Sequence, residues 1–289
     1  MSKKILITGG TGFIGNELYK TLKSNGDYDV TSFSRLSLDL YDDALVESVV
    51  QKIRPDVVIH CATYDAAPGF SKKDKKLVLE KNLRMYLNLA RTSAYFQKML
   101  YFGSGSEFGR DSWAPQMKER DIGECIPQDQ YGLSKYMMNM DAQRSRNIYN
   151  LRLFTVFGEE EDWRYRTVSN LCCKKVKGKK LVIPEDRKRD FLYIKDLMGI
   201  VELFLSIEPE FHDYNICSGE VLKNSDVARK LDVNFVHRGR RLSEYSGDNR
   251  RLLAEFPFLK FTPFDEALQN VVDYHRENEN SICEHDLEY

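Results

Sequence analysis

Tyr131 and Lys135 lie four positions apart, in the segment Tyr-Gly-Leu-Ser-Lys at the start of a predicted helix. Residues at this spacing share one face of an α-helix and are separated by one turn. A tyrosine hydroxyl has a reference pKa of about 10, and a neighbouring ammonium group lowers that pKa because it favours the phenolate. The pair is therefore suited to donating or accepting a proton near neutral pH.

Ser104 lies upstream of this pair, in Phe-Gly-Ser-Gly-Ser-Glu-Phe-Gly directly after a predicted strand. A serine hydroxyl at such a position can donate a hydrogen bond to a carbonyl oxygen that becomes an alkoxide during hydride transfer. Two simpler interpretations stay open, because Ser104 could cap a helix and Tyr131 could be a packing residue. The spacing of Tyr131 and Lys135 also recurs at Tyr19 and Lys23, but that second pair lies well inside the first predicted helix.

A glycine-rich turn, Thr-Gly-Gly-Thr-Gly-Phe-Ile-Gly from residue 8 to 15, joins the first predicted strand to the first predicted helix. Gly9 would allow a tight turn, Gly12 the close approach of a pyrophosphate, and Gly15 the packing of helix on sheet. The amino terminus of the helix attracts the phosphate charge. The turn predicts a dinucleotide site, to which Thr11, Phe13 and Ile14 also contribute.

The end of the second predicted strand indicates which dinucleotide is preferred. An acidic residue at this point accepts hydrogen bonds from the ribose hydroxyls of NAD, but this chain has Ser34 and Arg35 there. A guanidinium is suited to a 2′-phosphate, which favours NADP(H) over NAD(H), although a solvated arginine on a loop is the simpler alternative. Asp39 and Leu40 follow and are expected at the adenine edge.

Strands and helices alternate along the first half of the chain. Strands are predicted at 5–7, 30–33, 56–60, 99–102 and 150–154, with helices at 13–22, 45–53, 77–96 and 131–144. This order predicts an α/β protein with a Rossmann-type doubly wound parallel sheet, whose ligands bind beyond the carboxyl ends of the strands. We expect residues 1–156 plus about 191–218 to form this dinucleotide-binding domain, and 157–190 plus 219–289 a smaller α/β substrate-binding domain.

The composition excludes several other functions. The 289 residues carry 43 Lys+Arg against 44 Asp+Glu, a net charge of −1, so the whole chain has no general attraction for nucleic acid or an anionic membrane. No apolar run approaches the roughly 20 residues needed to span a bilayer. The 6 cysteines contain no Cys-x-x-Cys pair and the 5 histidines have no metal-ligand spacing. We therefore expect a reduced cytoplasmic protein without a metal.

Taken together, these motifs resemble the extended short-chain dehydrogenase/reductases, and within them the sugar-nucleotide epimerase/dehydratase group. The resemblance covers about the first two-thirds of the chain and lies in Thr8 to Gly15, Asp39-Leu40, His60-Cys-Ala62, Asn82, Ser104, Tyr131-x-x-x-Lys135 and Arg189 to Asp196. It implies that Tyr131 is the acid/base, that Lys135 contacts the nicotinamide ribose and that Ser104 contacts the substrate. Further cofactor contacts implied by the resemblance are Cys61, Ala62, Thr63, Asn82 and Phe154, and further substrate contacts are Ser106, Asn170, Arg189 and Arg241. It also implies a nucleotide-sugar substrate and a homodimer formed through the two long helices.

Departures from the family pattern reduce the number of reactions that this chain is expected to catalyse. Dehydratases of the family have an Asp-Glu pair directly after the serine or threonine, whereas this chain has Gly105 and Ser106 there, with Glu107 one position late. Relatives similar to GDP-fucose synthase epimerise with a cysteine at the position of Ser106 and a later histidine, which residues 165–171 lack. Reduction of a 4-keto, 6-deoxy nucleotide sugar with NADPH is the favoured hypothesis. A 4-epimerase with tightly bound NAD and a non-catalytic NADP-binding regulatory protein are the alternatives.

Overall fold

The computed structural model describes residues 2–66, 71–183, 186–237 and 243–287. The chain forms two compact units, each built from several segments. Unit 1 comprises Met1–Ser112, Glu119–Leu153 and Ile200–Asn215, and unit 2 comprises Trp113–Lys118, Phe154–Gly199 and Ile216–Tyr289. Among the helices of the described residues, none is long and apolar enough to cross a bilayer.

Unit 1 is an α/β layer structure of the Rossmann type. Its elements, in chain order, are β1 (Lys3–Thr8), α1 (Phe13–Ser24), β2 (Tyr28–Phe33), α2 (Asp43–Ile53), β3 (Val57–His60), α3 (Val78–Ala90), β4 (Lys98–Ser104), α4 (Gln130–Ala142) and β5 (Ile148–Leu153). The strands follow the order β2-β1-β3-β4-β5, and each neighbouring pair is parallel. This arrangement confirms the predicted fold class.

The remaining elements, in chain order, are β6 (Thr155–Phe157), α5 (Thr167–Val176), β7 (Leu181–Ile183), β8 (Lys188–Tyr193), α6 (Ile194–Ser206), β9 (Asp213–Ile216), β10 (Val221–Lys223), α7 (Asn224–Lys230), β11 (Phe235–His237), α8 (Arg250–Glu255) and α9 (Phe264–Glu277). All of these except α6 and β9 lie in unit 2, and α6 passes from unit 2 into unit 1 at residue 200. Strand β9 extends the sheet of unit 1 beside β5, although its last residue belongs to unit 2. In unit 2, β10-β8-β6 form one small sheet and β11 pairs with β7 in another.

The sheet of unit 1 is apolar because its strands are covered by helices. All four residues of β3 and all seven of β4 are buried, as expected for central parallel strands. One core cluster joins the strands to helices α2, α3 and α4 through buried side chains that include Leu6, Val46, Val58, Leu89, Met99 and Met138. Burial of these side chains places the carboxyl ends of β1, β3 and β4 at one edge of the sheet.

The third helix is shorter than its sequence pattern predicts. We expected a helix from Leu77 to Phe96, but α3 ends at Ala90 and the chain continues in a short 3₁₀ turn at Ser93–Tyr95. Thr92 explains the ending, because its hydroxyl donates a hydrogen bond of 2.6 Å to the carbonyl of Leu89. Threonine side chains compete in this way with the backbone bonds that would continue a helix.

Candidate active site

The turn between β1 and α1 can only be built with glycine at two of its positions. Gly9 has a φ of +72°, and a Cβ atom there would lie 2.6 Å from the backbone nitrogen of Ala62. A Cβ atom on Gly15 would lie 2.3 Å from the carbonyl oxygen of Gly9. Helix α1 starts after Gly12 without a side-chain cap, so its first amides are oriented for an anion rather than for a side chain.

Gly15→Ala is expected to lower the affinity for NADPH by about tenfold or more, because the added methyl group must displace the turn at a cost of about 1–3 kcal/mol. NADPH fluorescence titration measures this change. Gly199→Ala is the matched control, since Gly199 lies in helix α6 with no atom within 4 Å of an added Cβ. The control should keep its affinity and gain a little stability. Equal affinities for the two variants would contradict the assigned role of the turn.

A cleft of about 350 Å³ opens beside this turn and lies entirely within unit 1. The cleft brings together ten of the residues that the sequence predicts as cofactor contacts: Gly9, Thr11, Gly12, Ser34, Arg35, Asp39, Leu40, Cys61, Ala62 and Thr63. They come from the ends of three neighbouring strands, which explains why residues far apart in the chain meet here. The cleft also contains Tyr41, Tyr64 and Lys73, which the sequence patterns did not indicate.

The remaining predicted cofactor residues do not line the cleft. Phe13, Ile14 and Gly15 form the first turn of α1. Asn82 is buried on α3, where its Oδ1 accepts hydrogen bonds from the backbone nitrogen of Tyr64 at 2.7 Å and from the hydroxyl of Thr63 at 3.3 Å. Asn82 therefore holds the cleft wall formed by residues 63 and 64. Phe154 belongs to unit 2, where its ring lies 5.1 Å from that of Tyr245.

Ser104 and Lys135 lie at the carboxyl end of β4, and Tyr131 lies in the first turn of the helix that carries Lys135. Asp129 caps helix α4 by accepting from the backbone nitrogen of Gly132 at 2.9 Å, which places Tyr131 in the first turn. The ammonium of Lys135 lies 5.9 Å from the centre of the Tyr131 ring and donates to the carbonyl of Phe102 at 2.8 Å. Ser104 ends that same strand, two residues after Phe102.

Ser104 also caps a short 3₁₀ turn, as the simpler interpretation suggested. Its Oγ accepts from the backbone nitrogen of Ser106 at 3.2 Å, and both side chains are buried. A hydroxyl that accepts one hydrogen bond can still donate its own proton, so capping and substrate binding are compatible. Gly132 allows α4 to approach this turn, because a Cβ atom there would lie 2.7 Å from the carbonyl oxygen of Ser106.

Burial changes the titration of the groups around Lys135. Desolvation lowers the pKa of Lys135 to about 8, while the negative charge of Glu107 opposes that decrease. Desolvation also lowers the pKa of His60 to about 3, with Lys135 adding to the effect, and raises the pKa of the Cys61 thiol. His60 accordingly stays neutral and forms a buried hydrogen bond of 2.8 Å with Thr8. Cys61 lines the cleft and interacts electrostatically with Lys135, so the Lys135 ammonium lies near the cleft wall formed after β3.

The sequence patterns did not predict a buried ion pair, Glu107–Arg152, that contacts the backbone of Ser104. Glu107 and Arg152 are both fully buried, and the guanidinium Nε donates to the Glu107 carboxylate at 2.7 Å. Arg152 also donates to Asp213 at 2.8 Å and to Asn215 at 3.1 Å. Arg152 is the one charged residue of β5, and this could have indicated the pair, because a charge in a buried strand requires partners.

The predicted substrate residues lie in different parts of the chain. Ser106 is buried in the 3₁₀ turn of unit 1. Asn170 and Arg189 belong to unit 2, where Asn170 on α5 donates to the carbonyl of Trp163 at 3.0 Å and Arg189 lies on β8 opposite Leu222. Arg241 lies outside the described residues.

A parallel sheet with a glycine turn at its carboxyl edge and a tyrosine–lysine pair beside it defines a dinucleotide-dependent enzyme of the Rossmann class. Residues 5–217 match the NAD dependent epimerase/dehydratase family. The chain belongs to that family, whose members modify nucleotide sugars with NAD(P).

Individual relatives agree with this assignment. GDP-6-deoxy-D-talose 4-dehydrogenase of Aggregatibacter actinomycetemcomitans is 26% identical over 230 residues, which cover 75% of this chain and 74% of the relative. Methionine adenosyltransferase 2 subunit beta of Xenopus laevis is 30% identical over 171 residues, but the match spans 55% of this chain and only about half of that protein, 49%. Among solved structures, an NADP-bound GDP-L-fucose synthetase from Naegleria fowleri has the same fold, with a TM-score of 0.84, 19% identity and coverage of 96% of this chain and 94% of the other.

Proposed function

We propose that this protein uses NADPH to reduce the 4-keto group of a nucleotide sugar, in which the sugar is a 6-deoxy hexose. The observation that carries the proposal is the position of Lys135, which bonds to β4 two residues before Ser104 and lies 5.9 Å from the centre of the Tyr131 ring, in the same unit as the cleft beside the glycine turn. The similarity to a GDP-6-deoxy-D-talose 4-dehydrogenase supports it, because oxidation and reduction at C4 use the same atoms in opposite directions.

Each of the three side chains has one part in the reaction. NADPH, when bound in the cleft beside the glycine turn, would supply the hydride for the sugar keto carbon. The hydroxyl of Tyr131 gives its proton to the keto oxygen as negative charge develops there, and the hydroxyl of Ser104 donates a hydrogen bond to the same oxygen. Lys135 holds the nicotinamide ribose and favours the phenolate that remains on Tyr131, since its ammonium lies close to the tyrosine ring.

The surroundings of Ser104 disfavour the other reactions of the family. Dehydration requires a carboxyl group that reaches the sugar, whereas the Glu107 carboxylate is fully buried against Arg152. Epimerisation beside the ketone requires a group that can take a proton from carbon, and Ser106 is a poor one. Simple reduction needs neither. Asn170 is proposed to contact the diphosphate of the substrate, and Arg189 and Arg241 to lie near its nucleotide.

Absorbance at 340 nm tests the proposal directly, with NADPH and a panel of 4-keto-6-deoxy nucleotide sugars carrying GDP, dTDP, CDP or UDP. We expect oxidation of NADPH with at least one member of the panel. Tight binding of NADPH without turnover on any of them would contradict the proposal and would favour the alternative of a non-catalytic NADP-binding regulatory protein. An epimerase would convert a 4-hydroxy sugar without a net change in absorbance.

Arg35→Ala is expected to weaken NADPH binding by about tenfold or more and NADH binding by less than about twofold, because only NADPH carries the 2′-phosphate. Arg35 is exposed at the rim of the cleft, with its guanidinium 5.5 Å from the centre of the Tyr41 ring. Fluorescence titration with both cofactors measures the ratio. Arg144→Ala, another exposed arginine of unit 1, should change neither affinity. Equal losses for NADPH and NADH would remove the argument for NADP.

The homodimer implied by the family resemblance is also a proposal. Leu87 on α3 is 39% exposed and Met137 on α4 is 45% exposed, so both helices present apolar side chains on their outer surfaces. Light scattering coupled to size-exclusion chromatography determines the mass in solution, and a monomer at micromolar concentration would argue against a stable dimer.

A further inference from the structure

Glu107 occupies a position that the proposed reaction does not use, since its carboxylate faces the protein interior. We propose that Glu107, held by Arg152, is a positioning residue with two effects. It fixes the turn that carries Ser104, and it places a negative charge beside the Lys135 ammonium at the end of β4. The inference rests on the proposed function in that Lys135 binds the cofactor ribose and Ser104 the substrate.

The carboxylate of Glu107 is held from several sides. Its Oε1 accepts from the backbone nitrogen of Ser104 at 2.9 Å, and its Oε2 accepts from the Nε of Arg152 at 2.7 Å. The side-chain nitrogen of Asn150 lies 3.2 Å from Oε1 and 3.0 Å from Oε2. The Arg152 guanidinium is itself packed 5.3 Å from the centre of the Phe108 ring. A carboxylate with these partners has one position, and the Ser104 amide is fixed with it.

The same contacts reach the helix that carries Tyr131 and Lys135. The side-chain nitrogen of Asn150 also donates to Oδ1 of Asn139 on α4 at 3.0 Å. Gly103, which precedes Ser104, must lack a side chain here, because a Cβ atom would lie 2.3 Å from Oε1 of Glu107. The Glu107 carboxylate therefore contacts the Ser104 turn directly and is linked to helix α4 through the side chain of Asn150.

The electrostatics favour Glu107 as the charged partner of Lys135. The Lys135 ammonium donates to the carbonyl of Phe102 at 2.8 Å, and the Glu107 carboxylate accepts from the backbone nitrogen of Ser104, two residues further along β4, at 2.9 Å. Within the described residues, the other groups that interact with Lys135 include Cys61, His60 at the end of β3, and the ring of Tyr131. His60 is neutral, because its pKa is lowered to about 3, and the Cys61 thiol is neutral, because burial raises its pKa. Burial raises the pKa of Glu107 as well, but Arg152 and the Ser104 amide oppose this and favour the carboxylate. Removal of this charge leaves the desolvation of Lys135 uncompensated.

The test measures NADPH affinity from pH 6.5 to pH 10 by fluorescence, in the Tyr131→Phe background so that no phenol at this site titrates. The ammonium form of Lys135 binds the ribose better, so affinity should weaken as the pH rises above about 8. Glu107→Gln should move this decrease to lower pH by about one unit, because a nearby negative charge has been removed. Lys135→Met should abolish the decrease. An unchanged midpoint in Glu107→Gln, or no decrease in the parent, would overturn the inference.

Asp213→Asn is the matched control, because it removes the other carboxylate that contacts Arg152 without facing Lys135. The pH midpoint of its decrease in NADPH affinity should equal that of the parent. A shift as large as that of Glu107→Gln would mean that Glu107 acts on Lys135 only through the structure of the turn, which would overturn the inference. If Glu107→Gln does not fold, Glu107→Asp keeps the negative charge and the cation Arg152. Its midpoint should stay within about half a unit of that of the parent, and a shift as large as one unit would overturn the inference. Because these readouts need only cofactor binding, absence of turnover would contradict the proposed function and leave this inference intact.

Discussion

Replacement of Tyr131 by Phe is expected to lower kcat by at least about a thousandfold, within the range that a positioned proton donor contributes. The variant retains the ring and loses only the hydroxyl. Because the ring lies in the first turn of α4, with its centre 5.9 Å from the Lys135 ammonium, its packing should not change. NADPH affinity should remain within about twofold of that of the wild type, since Lys135 and the glycine turn are unaltered.

Steady-state absorbance at 340 nm gives kcat, and fluorescence titration gives the affinity, so the two effects are measured separately. Tyr136→Phe is the matched control, because Tyr136 lies on the same helix directly after Lys135 and loses the same hydroxyl. Turnover in Tyr131→Phe at the wild-type rate would refute the proton-donor assignment. A parallel loss of turnover in Tyr136→Phe would show that the helix, rather than one hydroxyl, was perturbed.

Arg152→Met is expected to be the most destabilising single substitution in unit 1. The guanidinium is completely buried and donates to Glu107, Asp213 and Asn215. Methionine fills a similar volume but leaves two buried carboxylates without their cation, and breaking a buried pair in this way costs about 3–5 kcal/mol. For a unit of this size, such a loss corresponds to a decrease in Tm of about 10 °C.

Thermal unfolding with and without NADPH measures this effect, because the transition that NADPH raises belongs to the unit that binds it. Arg146→Met is the control, since Arg146 is exposed shortly before β5 and a substitution there should cost less than about 0.5 kcal/mol. Equal melting temperatures for the two variants would mean that the buried pair contributes no net stability.

Short-range patterns in the chain were sufficient to predict the sheet, the cofactor turn and the tyrosine–lysine pair. Each depends on residues within about one helical turn or one strand of each other. Gly9, Gly12 and Gly15 constrain a single strand–helix connection, and Tyr131 and Lys135 share one helix face. The alternation of apolar strands with amphipathic helices leaves few other arrangements that bury both.

Contacts between distant segments were not predictable from such patterns. Glu107 and Arg152 are 45 positions apart. Asn82 on helix α3 supports residues 63 and 64, which lie in the loop after β3. The pairing with Arg152 also determines that the Glu107 carboxyl group faces the protein interior. The spacing of residue types within a segment indicates which backbone conformation that segment favours. The partner of a buried charge depends instead on which strands and helices become neighbours. That outcome is determined by the packing of the whole unit, because a buried charge is tolerated only where the complete fold supplies its counter-charge.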